Sequence, residues 1–230
     1  MSRRIVVKKS VDLVMYHHSL SLIEHRFLNM CIGGIYYKDK ITKYTDCAVS
    51  TDRYASEYNI KYKEALSQLK EIQISLIKKR VITLEVANLS IQWITKMEFN
   101  SNDEVYVKFH EKMIPYISSL KANFIKYDIG IIKNLKSTHS IRIYELLKTR
   151  AYDNAGWKLH VELDELKKML VVANKYPQYG SFKRMLDVSL EEINEHTDIK
   201  ATVKERKLGR KVVKLVFSME KPVTSEPEEE

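Results

Sequence analysis

Residues 204–217, KERKLGRKVVKLVF, gather six Lys or Arg side chains around Gly209 and then run into apolar residues. Such side chains bind phosphate, because each duplex phosphate they neutralise releases counterions and adds about 0.9 to the slope of log affinity against log salt. Lys204, Arg206, Lys207, Arg210 and Lys211 are therefore candidate phosphate contacts, projecting from a hairpin tip that Val213, Leu215 and Phe217 anchor to a core. A second group, Ser181, Lys183 and Arg184, precedes Asp187, Glu191, Glu192 and Glu195. Cations at a helix start oppose the helix dipole by roughly a few tenths of a kcal/mol each, so an isolated helix does not favour this polarity. It suits a helix whose N-terminal end enters a major groove, with Lys183 and Arg184 reaching guanine edges or phosphates. A third group, Lys61, Lys63, Lys70, Lys78, Lys79 and Arg80, is diluted by Glu64 and Glu71. Supporting backbone contacts fit it better than base reading, and a solvated face fits equally well.

The whole chain leans the same way. Its 39 Lys and Arg against 30 Asp and Glu leave a formal net charge of +9, which points toward a polyanion. The closing EPEEE opposes that trend, so Pro222 onward reads as a frayed tail outside the basic body. A chain of 230 residues with 44% hydrophobic and 30% charged residues is globular in composition. No apolar run approaches the roughly 18 residues of a spanning helix, and MSRRIVVKKS lacks the apolar core of a secretory signal. A cytoplasmic protein without membrane contact is expected. Cys31 and Cys47 form no Cys-x-x-Cys pair and read as reduced, partly buried thiols. His17-His18 has no third ligand nearby, and Gly33-Gly34 is not followed by Lys-Ser/Thr, so neither a metal nor a nucleotide cofactor is expected.

The elements that must carry these cations read as two similar units. In the first, Ser21-Leu-Ile-Glu24 has capping-box spacing, followed by Ile23, Phe27, Met30, Cys31 and Ile35 at helical spacing. Ser50 or Thr51 caps a short helix that stops at Asn59, and Tyr62, Ala65, Leu69, Ile72 and Leu76 mark a third helix. From Val81 the period changes to two, through Val81–Val86, Leu89–Trp93 and Val105–Phe109, with Asn100–Asp103 as a turn. In the second, 131–150 is mainly helical with a possible re-cap at Ser137 or Ser140. Leu159–Leu163 alternates as a strand, Asp164 caps a short helix, Ser181 caps the next, and 199–204 pairs with 212–217. Three helices leading into a β-hairpin is the winged-helix plan. The third helix enters the groove and the hairpin reaches the adjacent backbone.

The stretches LKSTHSIRIYELLK (135–148), LHVELDELKKML and YPQYGSFKRMLDVSLEEINEHTDI resemble the second domain of the iteron-binding plasmid replication initiators. SLSLIEHRFLNMCI (19–32), preceded by VVKKS, resembles the opening helix of their first domain. The likeness runs from about Ile5 to Phe217. It implies an α+β fold of two tandem winged-helix domains: 1–122, for dimerisation and supporting DNA contacts, and 123–221, the main DNA-reading domain, with 222–230 as the tail. It further implies binding to repeated origin sites in double-stranded DNA and origin opening. The partners it implies are the host replication initiator and replicative helicase, and a second copy of the chain in a dimer that represses its own promoter. On that template Ser181, Lys183 and Arg184 begin the recognition helix and Lys204–Lys211 form its wing. Two other readings stand beside it, a dedicated transcriptional repressor and a nicking enzyme with a tyrosine nucleophile. The second would want a His-x-His metal pair, which the sequence lacks.

Overall fold

The computed structural model describes residues 4–36, 46–82, 90–151 and 157–220. The expected acidic tail lies outside them, as does most of the expected 81–86 strand. The first half runs β1 (Val6–Ser10), α1 (Val11–Met15), β2 (His17–His18), α2 (Leu22–Tyr36), β3 (Asp46–Ser50), α3 (Thr51–Tyr58) and α4 (Tyr62–Leu76). It continues through β4 (Arg80–Ile82), β5 (Ser90–Gln92), β6 (Ile94–Phe99), β7 (Glu104–Phe109) and α5 (Ile114–Ile117). The second half comprises β8 (Phe124–Asp128), α6 (Ile129–Ile132), α7 (Thr138–Ala151), β9 (Lys158–Glu162) and α8 (Leu163–Met169). It ends with α9 (Tyr179–His196), β10 (Ala201–Leu208) and β11 (Lys211–Met219).

Local chemistry sets most helix ends. The capping box forms at α2: the Ser21 N–H donates to Glu24 Oε2 at 2.7 Å and the Glu24 N–H to Ser21 Oγ at 3.3 Å. Ser50 Oγ accepts from the Arg53 N–H to start α3, and Asn59, in the left-handed region at φ 51°, ends it. Ser137 Oγ accepts from the His139 N–H at 3.0 Å and divides α6 from α7. Two expected caps are corrected. Asp164 lies inside the first turn of α8, whose N-cap is Glu162, and Ser181 lies inside α9, whose N-cap is Gln178; neither cap residue bonds through its side chain. α9 begins instead at Tyr179, half-buried against the core, whose hydroxyl reaches Glu205 on β10.

The two halves share one topology. A helix (α2 or α7) leads to a strand (β3 or β9), two helices (α3–α4 or α8–α9) and a hairpin (β6–β7 or β10–β11). In both, the early strand pairs antiparallel with the second hairpin strand, giving the orders β3-β7-β6 and β9-β11-β10. These are two winged helices, each with a three-helix core and a three-stranded sheet. The first inserts β4 and β5, with β4 pairing with both β2 and β5. β1 pairs with β8 along its whole length and so ties the start of the chain to residues beyond 122. No described helix is long and apolar enough to cross a membrane.

The two units meet on a buried polar cluster. Glu145 of α7 receives Lys9 Nζ from β1 at 2.7 Å and the Tyr127 hydroxyl from β8 at 2.5 Å, with His25 Nε2 of α2 at 3.4 Å. Arg142, one turn earlier, donates to His18 Nε2 at 2.7 Å and to the carbonyls of Tyr16 and Met169. Burial alone would raise the Glu145 carboxyl, but Lys9, His25 and Arg142 hold it well below the usual carboxylate range. Burial, with Arg142 adding to it, pushes His18 well below the ordinary imidazole value, so it stays a neutral acceptor. Burial lowers Arg142 to about 10, which leaves it charged at neutral pH. This cluster fixes α7, and through α7 the whole second unit, on β1 and α2.

Candidate nucleic-acid interface

α9 presents two unlike faces. Phe182, Leu186, Leu190 and Ile193 are buried, and Ser181, Arg184, Val188, Glu191 and Glu195 recur at three- and four-residue intervals on the opposite side. Arg184 is exposed on that outer face. Lys183 turns toward one flank, where its Nζ lies 3.1 Å from both oxygens of Asp187. The two adjacent cations therefore point differently: Arg184 straight outward, Lys183 sideways and already paired. Ser181 Oγ donates to the Gln178 carbonyl at 2.9 Å and stays near the surface of the first turn.

The wing stands on the same flank of the helix as Lys183, where the Tyr179 hydroxyl donates to Glu205 and the Asn194 amide to the Ala201 carbonyl. Its strands are longer than the alternation suggests, because the lysines and arginines of β10 occupy outward positions on an edge strand and pairing with β11 continues to Leu208 across one register shift. Lys204, Arg206 and Lys207 thus lie along the strand. Only Arg210 and Lys211 sit at the turn, where Gly209 (φ +59°) takes the first central position of a two-residue loop that requires a positive φ. Lys207 Nζ lies 3.7 Å from Glu205. The anchor is also corrected. A register shift between Arg206 and Lys207 skips Val213, so Val212, Leu215 and Phe217 are buried and Val213 is left half-exposed. The 2.8 Å bond from Tyr179 to Glu205 ties the first turn of α9 to the middle of this strand, placing both basic groups on one end of the unit.

On the opposite flank a groove of about 640 Å³ separates α9 from the start of α7. Its lining includes Lys136, Thr138, His139, Lys175, Arg184 and Val188. The Lys136 N–H donates to Glu192 of α9 at 3.2 Å and holds the two elements together. Lys136 and Lys175 were not singled out from the sequence. Their signal was position, since Lys136 directly precedes the Ser137 cap and Lys175 stands two residues before Pro177 at the entry to α9.

In the first unit Lys63 and Lys70 stand exposed along α4, Lys61 occupies its N-cap and Lys78 follows its end. Lys79 is drawn inward instead. Its Nζ lies 3.7 Å from the buried Glu24, which also accepts from Ser75 Oγ at 2.6 Å. The side chain of Arg80 lies outside the described residues. Among the remaining candidates, His18 is buried in the interdomain cluster and His17 is half-buried, with Nε2 3.7 Å from Glu165. Cys31 and Cys47 are buried and unbridged.

Neutralising Arg206, Lys207 and Arg210 together is expected to lower the slope of log affinity against log salt by up to about 2.7, on duplexes of any sequence. Equilibrium titration at several salt concentrations measures it, and an unchanged slope would remove the wing from the phosphate contacts.

Comparison with known proteins adds relatives to this geometry. A family model described as Initiator Replication protein, WH1, matches residues 6–148, and a second, described as Initiator Rep protein, WH2, matches residues 162–219. A replication initiation protein of Escherichia coli is 26% identical over 227 residues, covering 94% of this chain and 70% of its own length. An uncharacterized 27.6 kDa protein of Escherichia coli is 24% identical over 216 residues, covering 87% and 90%. Among solved structures, the Pi initiator protein in complex with iteron DNA superposes with a TM-score of 0.78 at 23% identity, over 94% of this chain and 97% of that one. Domains 2 and 3 of RctB superpose at 0.50 with 13% identity, over 96% and 88%. These two likenesses are of fold.

Proposed function

The chain belongs to the initiator replication protein family, and on that premise we propose that it starts plasmid replication by binding repeated origin sites, iterons, in double-stranded DNA. The observation that carries this reading is the end of the second unit, where outward-facing Arg184 stands between a basic wing and a basic groove. A helix so flanked suits a major groove, with base contact at its centre and phosphates on either side. The Pi initiator protein, whose fold this chain shares, was solved with iteron DNA, which supports the same target class. Ser181, Lys183 and Arg184 are assigned to the groove-entering turn, and Lys204, Arg206, Lys207, Arg210 and Lys211 to the phosphates beside it. Lys61, Lys63, Lys78, Lys79 and Arg80 are assigned to supporting contacts by the first unit. Of these, Lys79 must leave Glu24 to make one.

The second unit, from about residue 123, is the reader, and the first serves dimerisation and supporting contacts. Bound as a monomer, the protein opens the origin and brings in the host replication initiator and replicative helicase in the cytoplasm. As a dimer it represses its own promoter. The family acts by binding DNA and not by catalysis, and no tyrosine nucleophile is assigned.

Footprinting across the DNA that flanks the gene tests this reading. Regularly spaced protected repeats are expected, and a plasmid carrying only the gene and those repeats should replicate in its host. Protection confined to the promoter, with no replication, would leave a dedicated repressor instead.

A further inference from the structure

We propose that Val188 reads a base, meeting the 5-methyl group of a thymine one helical turn beyond the base contacted by Arg184. The inference rests on α9 entering the major groove as proposed above. Val188 is 55% exposed on the outer face of α9, in line with Ser181 and Arg184 and opposite the buried Phe182, Leu186 and Leu190. It adds nothing to the core, and a β-branched residue in a helix interior carries a propensity penalty of a few tenths of a kcal/mol. What lies around it fits a polyanion, since the groove it lines also holds Lys136, Lys175 and Arg184. Beyond Val188 the same face carries Glu191 and Glu195, whose carboxylates oppose any nearer approach to phosphate. The contacting segment therefore runs from Ser181 to Val188, about 10 Å of helix, which spans about three base-pair rises. At the major-groove edge the one apolar group that any base displays is the thymine methyl. An apolar side chain pointing outward in the middle of such a segment thus selects one base class. The target repeat carries a thymine at a fixed short step from the base read by Arg184.

The test replaces each thymine of the protected repeat with uracil, one at a time, which removes the methyl and keeps every hydrogen-bonding group. For the unaltered protein, one replacement is expected to weaken binding about fourfold, the partitioning value of a single methyl group. For Val188→Ala, the same replacement should change affinity by less than about 1.5-fold, while its affinity for the thymine duplex is already reduced severalfold. Two results overturn the inference alone: no single replacement weakens the unaltered protein, or the sensitive position weakens both proteins equally. If the unaltered protein binds the repeat no better than an unrelated duplex, the groove-reading role of α9 falls and this inference falls with it. Val188 is exposed, so the variant folds and each outcome can be read.

Discussion

Glu145→Ala should be the most damaging single change in the protein, costing about 3–5 kcal/mol of stability. The carboxylate is fully buried and collects Lys9, Tyr127 and His25 from three different elements. Removing it leaves a lysine charge in a buried site without its counter-ion and takes away the acceptor of the Tyr127 hydroxyl. Burial already lowers Lys9, and only Glu145 opposes that effect by both charge and hydrogen bond, so the variant is expected to neutralise Lys9 on folding. Because the cluster joins α7 to β1, β8 and α2, the loss should loosen the seat between the two units as well as the core. Urea unfolding measures it. A paired replacement, Lys9→Met with Glu145→Leu, should recover part of the loss, since two apolar residues of similar size remove the unpaired lysine, while the buried Arg142 guanidinium still loses the carboxylate that opposes its burial. An unchanged midpoint for Glu145→Ala would mean that the cluster contributes nothing to stability.

The sequence was most readable where a side chain acts on its own neighbourhood. Ser21 with Glu24, Ser50, Asn59 and the Ser137 re-cap all stand where spacing predicted them, because each bonds a backbone group within four residues. Elements that owe their form to distant partners were harder to see. β1 is a short VVKKS run that becomes a strand by pairing with β8, more than 100 residues away at the start of the second half. Its Lys9, like Arg142 and Glu145 in SIRIYELLK, looks like a surface charge until the units close over it. β6 hides in ITKMEF, where three polar residues interrupt the alternation and β7 supplies the ladder. α9 starts at Tyr179 and not at Ser181, and the hydrogen bond that ties this first turn to β10 joins residues 26 apart in the chain. Of the candidate interface, the residue types and their two groups were visible early. Their directions were not: which side of α9 turns outward with Arg184 and the spread of cations along β10 depend on packing, whereas the pairing of Lys183 with Asp187 follows from i,i+4 spacing within one helix.

Arg184→Ala is expected to weaken binding to the protected repeat roughly 5- to 150-fold, the range for losing a contact to a base edge worth about 1–3 kcal/mol. Arg184 is the one cation on the outermost line of α9, ahead of Val188, whereas Lys183 lies on the flank against Asp187. A guanidinium there can reach O6 and N7 of a guanine together, which an ammonium on a flank cannot. Lys183→Ala should therefore cost less, and cost it on every duplex. Fluorescence anisotropy of Arg184→Ala and the unaltered protein, each titrated with the protected repeat and with an unrelated duplex at one salt concentration, gives the deciding comparison. The account predicts a fall confined to the repeat, with affinity for the unrelated duplex within about twofold of the unaltered protein's. An equal fall on both duplexes would contradict it and reduce α9 to one more phosphate contact.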